Sequence, residues 1–146
     1  MDDYNSFRES HQLRVVVADT DDDCRRSLVE ALKKDNWYVV ECLDGPSVIA
    51  ALKEKHASYL LYLCIDMPEA GSATCLDNLS RLDVDLHLRF ITNGPCADSI
   101  AARMMAEARE IDVRRTIYKP IVPAEFCATV AKDAQEYVEG AVTIKE

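Results

Sequence analysis

Leu60-Leu61-Tyr62-Leu63-Cys64 is an unbroken apolar run that leaves through Ile65, Asp66 and Met67 to Pro68. A strand with one wet face alternates apolar and polar residues, whereas a strand buried on both faces reads as a continuous apolar run. The run therefore asks for a parallel sheet with helices packed on either side, and it is the natural centre of that sheet. Open sheets of this kind keep their sites outside the carboxyl ends of the strands. Cys64 closes the run, so it lies on the floor of any site the chain has.

The rest of the chain supplies what such a sheet needs. Leu13 to Ala18 is β-branched and apolar, and reads as the first strand. Asp19 to Asp23 breaks it and opens a helix, where an Asp can cap the first free N–H groups and acidic residues suit the positive end of the dipole. Cys24, Leu28, Ala31 and Leu32 form one stripe of that helix. Trp37 to Leu43 is the second strand, and Asp44-Gly45-Pro46 turns the chain into a short helix with Val48, Ile49 and Leu52 inward.

After the central strand a third helix turns Cys75, Leu76 and Leu79 inward. Leu86 to Ile91 is the fourth strand, ended by Thr92-Asn93-Gly94-Pro95, and helix four runs from about Cys96 to Ala108 with Ala97, Ile100, Ala101 and Met104 on one side. A fifth strand lies near Val113 to Tyr118 and ends at Lys119-Pro120. Pro123 to about Val138 is the last helix, with Phe126, Val130, Ala134 and Tyr137 facing in. Strand then helix, five times over, predicts an α/β fold with a parallel sheet covered on both faces, because the crossovers are right-handed. A loose tail over 1–12 precedes the domain at 13–138, and a second tail, 139–146, follows it.

At 146 residues this is one domain, and a formal charge of −9 argues against a general basic surface for nucleic acid or anionic membrane. No apolar run approaches the ~20 residues of a membrane span, and the acidic start Met1-Asp2-Asp3-Tyr4 is unlike a signal peptide. A cytoplasmic protein is expected. The six cysteines, Cys24, Cys42, Cys64, Cys75, Cys96 and Cys127, are far apart and include no Cys-x-x-Cys; His11, His56 and His87 are scattered. That spacing disfavours zinc and a disulfide framework, and leaves the thiols as small buried apolar groups.

Five βα units fit flavodoxins and nucleotide binders as well as signalling domains, but a set of spaced residues narrows the choice. Val15-Val16-Val17-Ala18-Asp19, Asp44-Gly45, Met67-Pro68 after the third strand, Thr92 after the fourth and Lys119-Pro120 after the fifth resemble the receiver domain of two-component response regulators. The resemblance covers about 13–138. It implies the flavodoxin-like (βα)5 fold with strand order 2-1-3-4-5. It also implies a phosphorelay role, in which a histidine kinase passes a phosphoryl group to an Asp at the end of the third strand. In that family two acids after the first strand hold Mg²⁺, together with a backbone carbonyl two residues past the acceptor. The Thr and the Lys meet the phosphoryl oxygens. Placing dense negative charge on a carboxylate needs such cations to offset it.

This chain departs from that pattern at its centre. Counting back from Pro68, the acceptor position holds Cys64. The acidic pair falls on Asp19 with Thr20, or on Ala18 with Asp19 if the register slips by one; half of it is missing either way. Asp66 stands where only a backbone carbonyl reaches the metal. The aromatic switch position holds Thr116, and the Gly expected four after Pro68 is Ser72, with Gly71 one earlier. Thr92 and Lys119 remain. A thiol is a poor ligand for Mg²⁺, which wants hard oxygens, so a metal site on Asp19 and Asp66 is weak or lost and no cofactor is expected. Lys119 should lower the Cys64 pKa while Asp19 and its neighbours should raise it; Asp19, Asp21 and Asp66 are the acidic pocket around it.

Three readings of Cys64 compete: an inert packed thiol in an atypical receiver that works by binding, a reactive thiol modified to switch the domain, and rescue by another acceptor. In the last, Asp66 or Asp19 takes the phosphoryl group and Asp21 or Asp22 helps hold a metal. The Asp66 carboxylate is expected to point away from Lys119. The binding reading, in which the chain is not an enzyme, places a kinase or a downstream regulatory protein on the face of helix four, strand five and helix five, which can also serve a homodimer. Arg103, Arg109, Arg114 and Arg115 lend that region positive charge suited to an acidic partner. A flavodoxin-type cofactor carrier is disfavoured, since the loop Asp19-Thr20-Asp21-Asp22-Asp23 would repel a phosphate.

Overall fold

The computed structural model describes residues 14–55, 57–68, 70–94 and 96–145, with side chains described through 136. Leu13 and residues 1–12 lie outside what is described, as does the side chain of Tyr137; residues 139–145, expected as a tail, continue the last helix. The central strand, β3 (Ser58–Cys64), is buried along its whole length. It lies between β1 (Arg14–Ala18) and β4 (Asp85–Thr92), with β2 (Val39–Cys42) outside β1. Beyond β4 come two short pieces, β5 (Asp112–Val113) and β6 (Ile117–Tyr118), which together make the fifth strand. Every pairing is parallel and the strand order is 2-1-3-4-5. Helices α1 (Asp22–Lys34), α2 (Gly45–Ala51), α3 (Ala73–Ser80), α4 (Ala97–Ala108) and α5 (Pro123–Lys145) connect and follow the strands. This is the flavodoxin-like order that the resemblance implies.

The helix starts follow from their caps. Asp21, Asp44 and Ser72 each accept a hydrogen bond from a backbone N–H of the first turn, those of Cys24, Ser47 and Cys75. At the start of α4, Ser99 Oγ accepts from the Cys96 N–H at 3.1 Å. Such contacts satisfy donors that the helix itself cannot.

Two expectations about packing are corrected. The buried stripe of α1 is Arg25, Leu28, Val29 and Leu32, so its head is Arg25 and Cys24 is half-buried beside it. Arg25 can be buried because its guanidinium is fully engaged. It donates to the Asp19 carbonyl at 2.9 Å and pairs with Asp22 at 2.7 Å and Glu41 at 3.1 Å. In α4 the inward face is Ser99, Ala102 and Ala106. Ile100 and Met104 are 60% and 64% exposed, so the apolar side seen in the sequence faces out. Small residues carry the contact with the sheet, and periodicity alone does not tell which of two weakly apolar sides is buried.

The fifth strand is not continuous. His87 pairs with Asp112 and Ile91 with Ile117, so the fifth strand carries one residue more than β4 over this stretch, a bulge. Its carbonyls are satisfied by arginines: Arg103 donates to the Arg114 carbonyl at 3.0 Å and Arg89 to the Arg115 carbonyl at 2.6 Å. Asp133 of α5, 3% exposed, ties the same region to the core. It takes both Nη2 and Nε of Arg89, at 2.6 and 3.1 Å, and the hydroxyl of Tyr62 at 2.9 Å. Phe126 packs edge-on against the Tyr62 ring at 4.9 Å.

Candidate functional site at the carboxyl ends of the strands

The topology brings Asp19, Cys64, Thr92 and Lys119 together, each at or just beyond the end of a neighbouring strand. Asp19 is 1% exposed. Its Oδ1 accepts from the Asp21 N–H at 3.0 Å, and its Oδ2 lies 2.8 Å from Lys119 Nζ in an ion pair. Burial works against the charged amine of Lys119, but Asp19 outweighs it and the pKa stands at about 12. Lys119 is therefore fully protonated at neutral pH and held by the one buried carboxylate beside it.

Cys64 is also 1% exposed. Burial pushes its thiol up to about 11, with the charges of Asp19 and Asp66 adding to the rise while the Asp66 backbone N–H and Lys119 oppose it. Burial, more than the contest between Lys119 and the acids, keeps the thiol neutral. A reactive cysteine needs an exposed, electropositive setting, and Cys64 has neither the exposure nor the thiolate.

Asp66 follows β3 in an exposed turn, and its carboxylate folds back over the thiol. Cys64 Sγ is 3.8 Å from Oδ2, which also accepts from Asn93 Nδ2 at 3.1 Å; Oδ1 lies 3.5 Å from the buried Thr92 hydroxyl. Lys119 meets Asp19, and Asp66 meets the end of β4. Asn93 is the residue that sequence reasoning missed, since an Asn in a Thr-Asn-Gly-Pro turn signals only the turn.

Asp21 of the acidic pocket and its neighbour Asp22 have separate tasks. Asp21 caps α1, and Asp22 pairs with Arg25, whose hydrogen bond and charge hold the Asp22 carboxyl below its ordinary value. Thr116 sits half-buried in the bulge between the two pieces of the fifth strand. A cleft of about 470 Å³ opens beside Lys119, lined by Asp21, Cys24, Ser27, Asn93 and Ile121 among others. Cys24 there has its thiol raised by burial and by Asp19.

The donor set does not fit Mg²⁺. Asp19 has one oxygen on a backbone N–H and the other on Lys119, Cys64 is a neutral thiol, and Asp66 is turned to Asn93. Among the described residues no group of three or more His, Cys, Asp or Glu side chains is placed to hold a metal ion. No helix among them is long and apolar enough to cross a membrane.

No family model matches the sequence. Over 79 residues the chain is 37% identical to the response regulator receiver protein CpdR of Brucella abortus (strain 2308), a match covering 54% of this chain and 65% of that protein's length. Among solved structures, a CheY-like receiver domain protein from Methanospirillum hungatei JF-1 superposes with a TM-score of 0.67 at 14% identity, covering 87% of this chain and 97% of that one. A response regulator from Colwellia psychrerythraea gives 0.67 at 17% identity, covering 84% and 97%. The beryllofluoride-activated NtrC4 receiver domain gives 0.68 at 19%, covering 85% and 98%. The chain thus has the fold of CheY-like response-regulator receiver domains and a sequence similar to one of them over about half its length.

Proposed function

We propose that this chain is a receiver domain of a two-component signalling system that acts through protein contacts and is not phosphorylated on aspartate at the usual position. The observation that carries the reading is the buried, neutral Cys64 at the end of β3, where the resemblance expects an acceptor carboxylate. A protonated thiol offers no carboxylate oxygen to attack phosphorus, and the Asp19–Lys119 pair already uses the charges that would otherwise serve the transfer. On this reading the domain catalyses nothing, takes no cofactor, and belongs in the cytoplasm.

The contact surface is the face of α4, the fifth strand and α5. Ile100 and Met104 stand one turn apart on α4 and are exposed, and Tyr118 and Val122 are 47% and 51% exposed nearby in the sequence of the fifth strand and its exit. The arginines offered for an acidic partner are mostly engaged within the chain: Arg103 with Glu107, Arg109 with Asp77, and Arg114 with Asp112 and Glu136. Apolar contact is therefore the better-supported mode of recognition, with a histidine kinase, a downstream regulator or a second copy as its user.

Intact-mass measurement of the purified domain after incubation with Mg²⁺ and a small phosphodonor tests the reading. The expected spectrum is that of the unmodified chain. A phosphoryl adduct that disappears in Asp66→Asn or Asp19→Asn would overturn it, and would make the displaced Asp the acceptor.

A further inference from the structure

The geometry points to Asp66 as a latch that joins the loop after β3 to the loop after β4, holding Thr92 and Asn93 in place with a carboxylate carried by the chain itself. Three contacts converge on this one exposed side chain. Asn93 Nδ2 donates to Oδ2 at 3.1 Å, the Thr92 hydroxyl lies 3.5 Å from Oδ1, and the Cys64 thiol lies 3.8 Å from Oδ2. The Asn93 contact is a normal charge-assisted hydrogen bond, while the Thr92 contact is long for O–H···O. Asn93 therefore anchors the carboxylate, and Thr92 is the group it steers.

The local backbone suits this role. Met67 N–H bonds to the Cys64 carbonyl at 3.2 Å, so Ile65 and Asp66 form the corner of a tight turn. Ile65 N–H bonds to the Ile91 carbonyl at 3.0 Å, which carries the β3–β4 pairing up to that corner. Asp66 thus starts from a fixed backbone and reaches across to the exit of β4. On the next strand outward, the Lys119 N–H bonds to the Thr92 carbonyl at 2.8 Å. A side chain that fixes Thr92 and Asn93 therefore acts on the entrance to α4 and on the neighbour of Lys119 together. In the receiver reading, on which the functional meaning of Thr92 rests, a tethered acid at this hydroxyl gives the loops one standing arrangement with no phosphoryl group added.

Amide hydrogen exchange on the intact chain tests the latch directly. Asp66→Ala should speed exchange at the amides of Asn93, Gly94 and Cys96 by about tenfold, the scale of one lost charge-assisted hydrogen bond. Asn93→Ala should do the same, and the double variant should add little to either single change. Because both residues are exposed, the unfolding midpoint serves as a check that the variants are folded. Unchanged exchange in Asp66→Ala, or additive effects in the double variant, overturns the latch. Failure of the phosphodonor experiment would instead overturn the proposed function and leave this exchange result standing.

Discussion

Replacing Lys119 by Met removes a cation from beside a carboxylate that solvent does not reach. Asp19 is 1% exposed and Lys119 13% exposed by side chain, with 2.8 Å between their charged atoms. An exposed ion pair contributes about 0–1 kcal/mol, but breaking a buried one from a single side costs about 3–5 kcal/mol because a charge is left uncompensated. The Asp21 N–H still serves Oδ1, so the lower half of that range, about 3 kcal/mol, is expected. For a domain with a total stability of about 5–15 kcal/mol, this is a large shift of the urea midpoint. Asp19→Asn combined with Lys119→Met should recover much of the loss, since removing both charges leaves nothing unpaired.

The pH dependence follows from the same pair. The folded pKa of Lys119, about 12, lies above its ordinary 10.5, so its contribution is complete below 10.5 and is lost as pH rises through about 12. Urea melts at neutral pH and in high salt check the magnitude, because a buried pair is screened little. A loss below about 1 kcal/mol for Lys119→Met, or no recovery in the double variant, would show that the pair behaves as an exposed one.

His87 sits between Asp85 at 3.2 Å and Asp112 at 2.6 Å. Burial lowers its pKa, but the two carboxylates outweigh that and raise it above 6.5. Its contribution should therefore be complete below 6.5 and fade as pH rises through the raised value, and His87→Asn should flatten that part of the stability profile measured by denaturant titration. Asp133→Ala should cost about 3–5 kcal/mol by stranding Arg89, and Tyr62→Phe about 1 kcal/mol, both read from unfolding midpoints. Thiol labelling of the native domain should modify exposed Cys96 first and reach Cys64 only on unfolding; prompt labelling of Cys64 would contradict its burial and its pKa of about 11.

The order of elements was legible because each strand and helix announces itself by composition: Leu60–Leu63 by its unbroken apolar run, Phe126, Val130 and Ala134 by helical spacing. The convergence of Asp19, Cys64, Thr92 and Lys119 was legible from their places after strands, since a parallel sheet puts all such positions on one edge. The outward face of α4 was not legible, because Ala102 and Ala106 are a weaker apolar signal than Ile100 and Met104 yet allow closer packing. Nor was the bulge: Arg114 and Arg115 interrupt the apolar pattern, and what holds them depends on Arg89 and Arg103 from other elements. The Asp66 side chain was expected to avoid Lys119, but its partners on β4 depend on the shape of a turn that no local pattern specifies.

On the proposed reading, the site formed by Asp19, Cys64, Thr92 and Lys119 does not answer to a phosphoryl group. The most direct test is a ¹H–¹⁵N spectrum of the domain titrated with Mg²⁺ and beryllofluoride, a mimic of the aspartyl phosphoryl group. The amides of Cys64, Asp66, Thr92 and Lys119 are predicted to stay where they are through the titration. Saturable movement of those resonances, absent when Mg²⁺ or beryllofluoride is added alone, would contradict the claim.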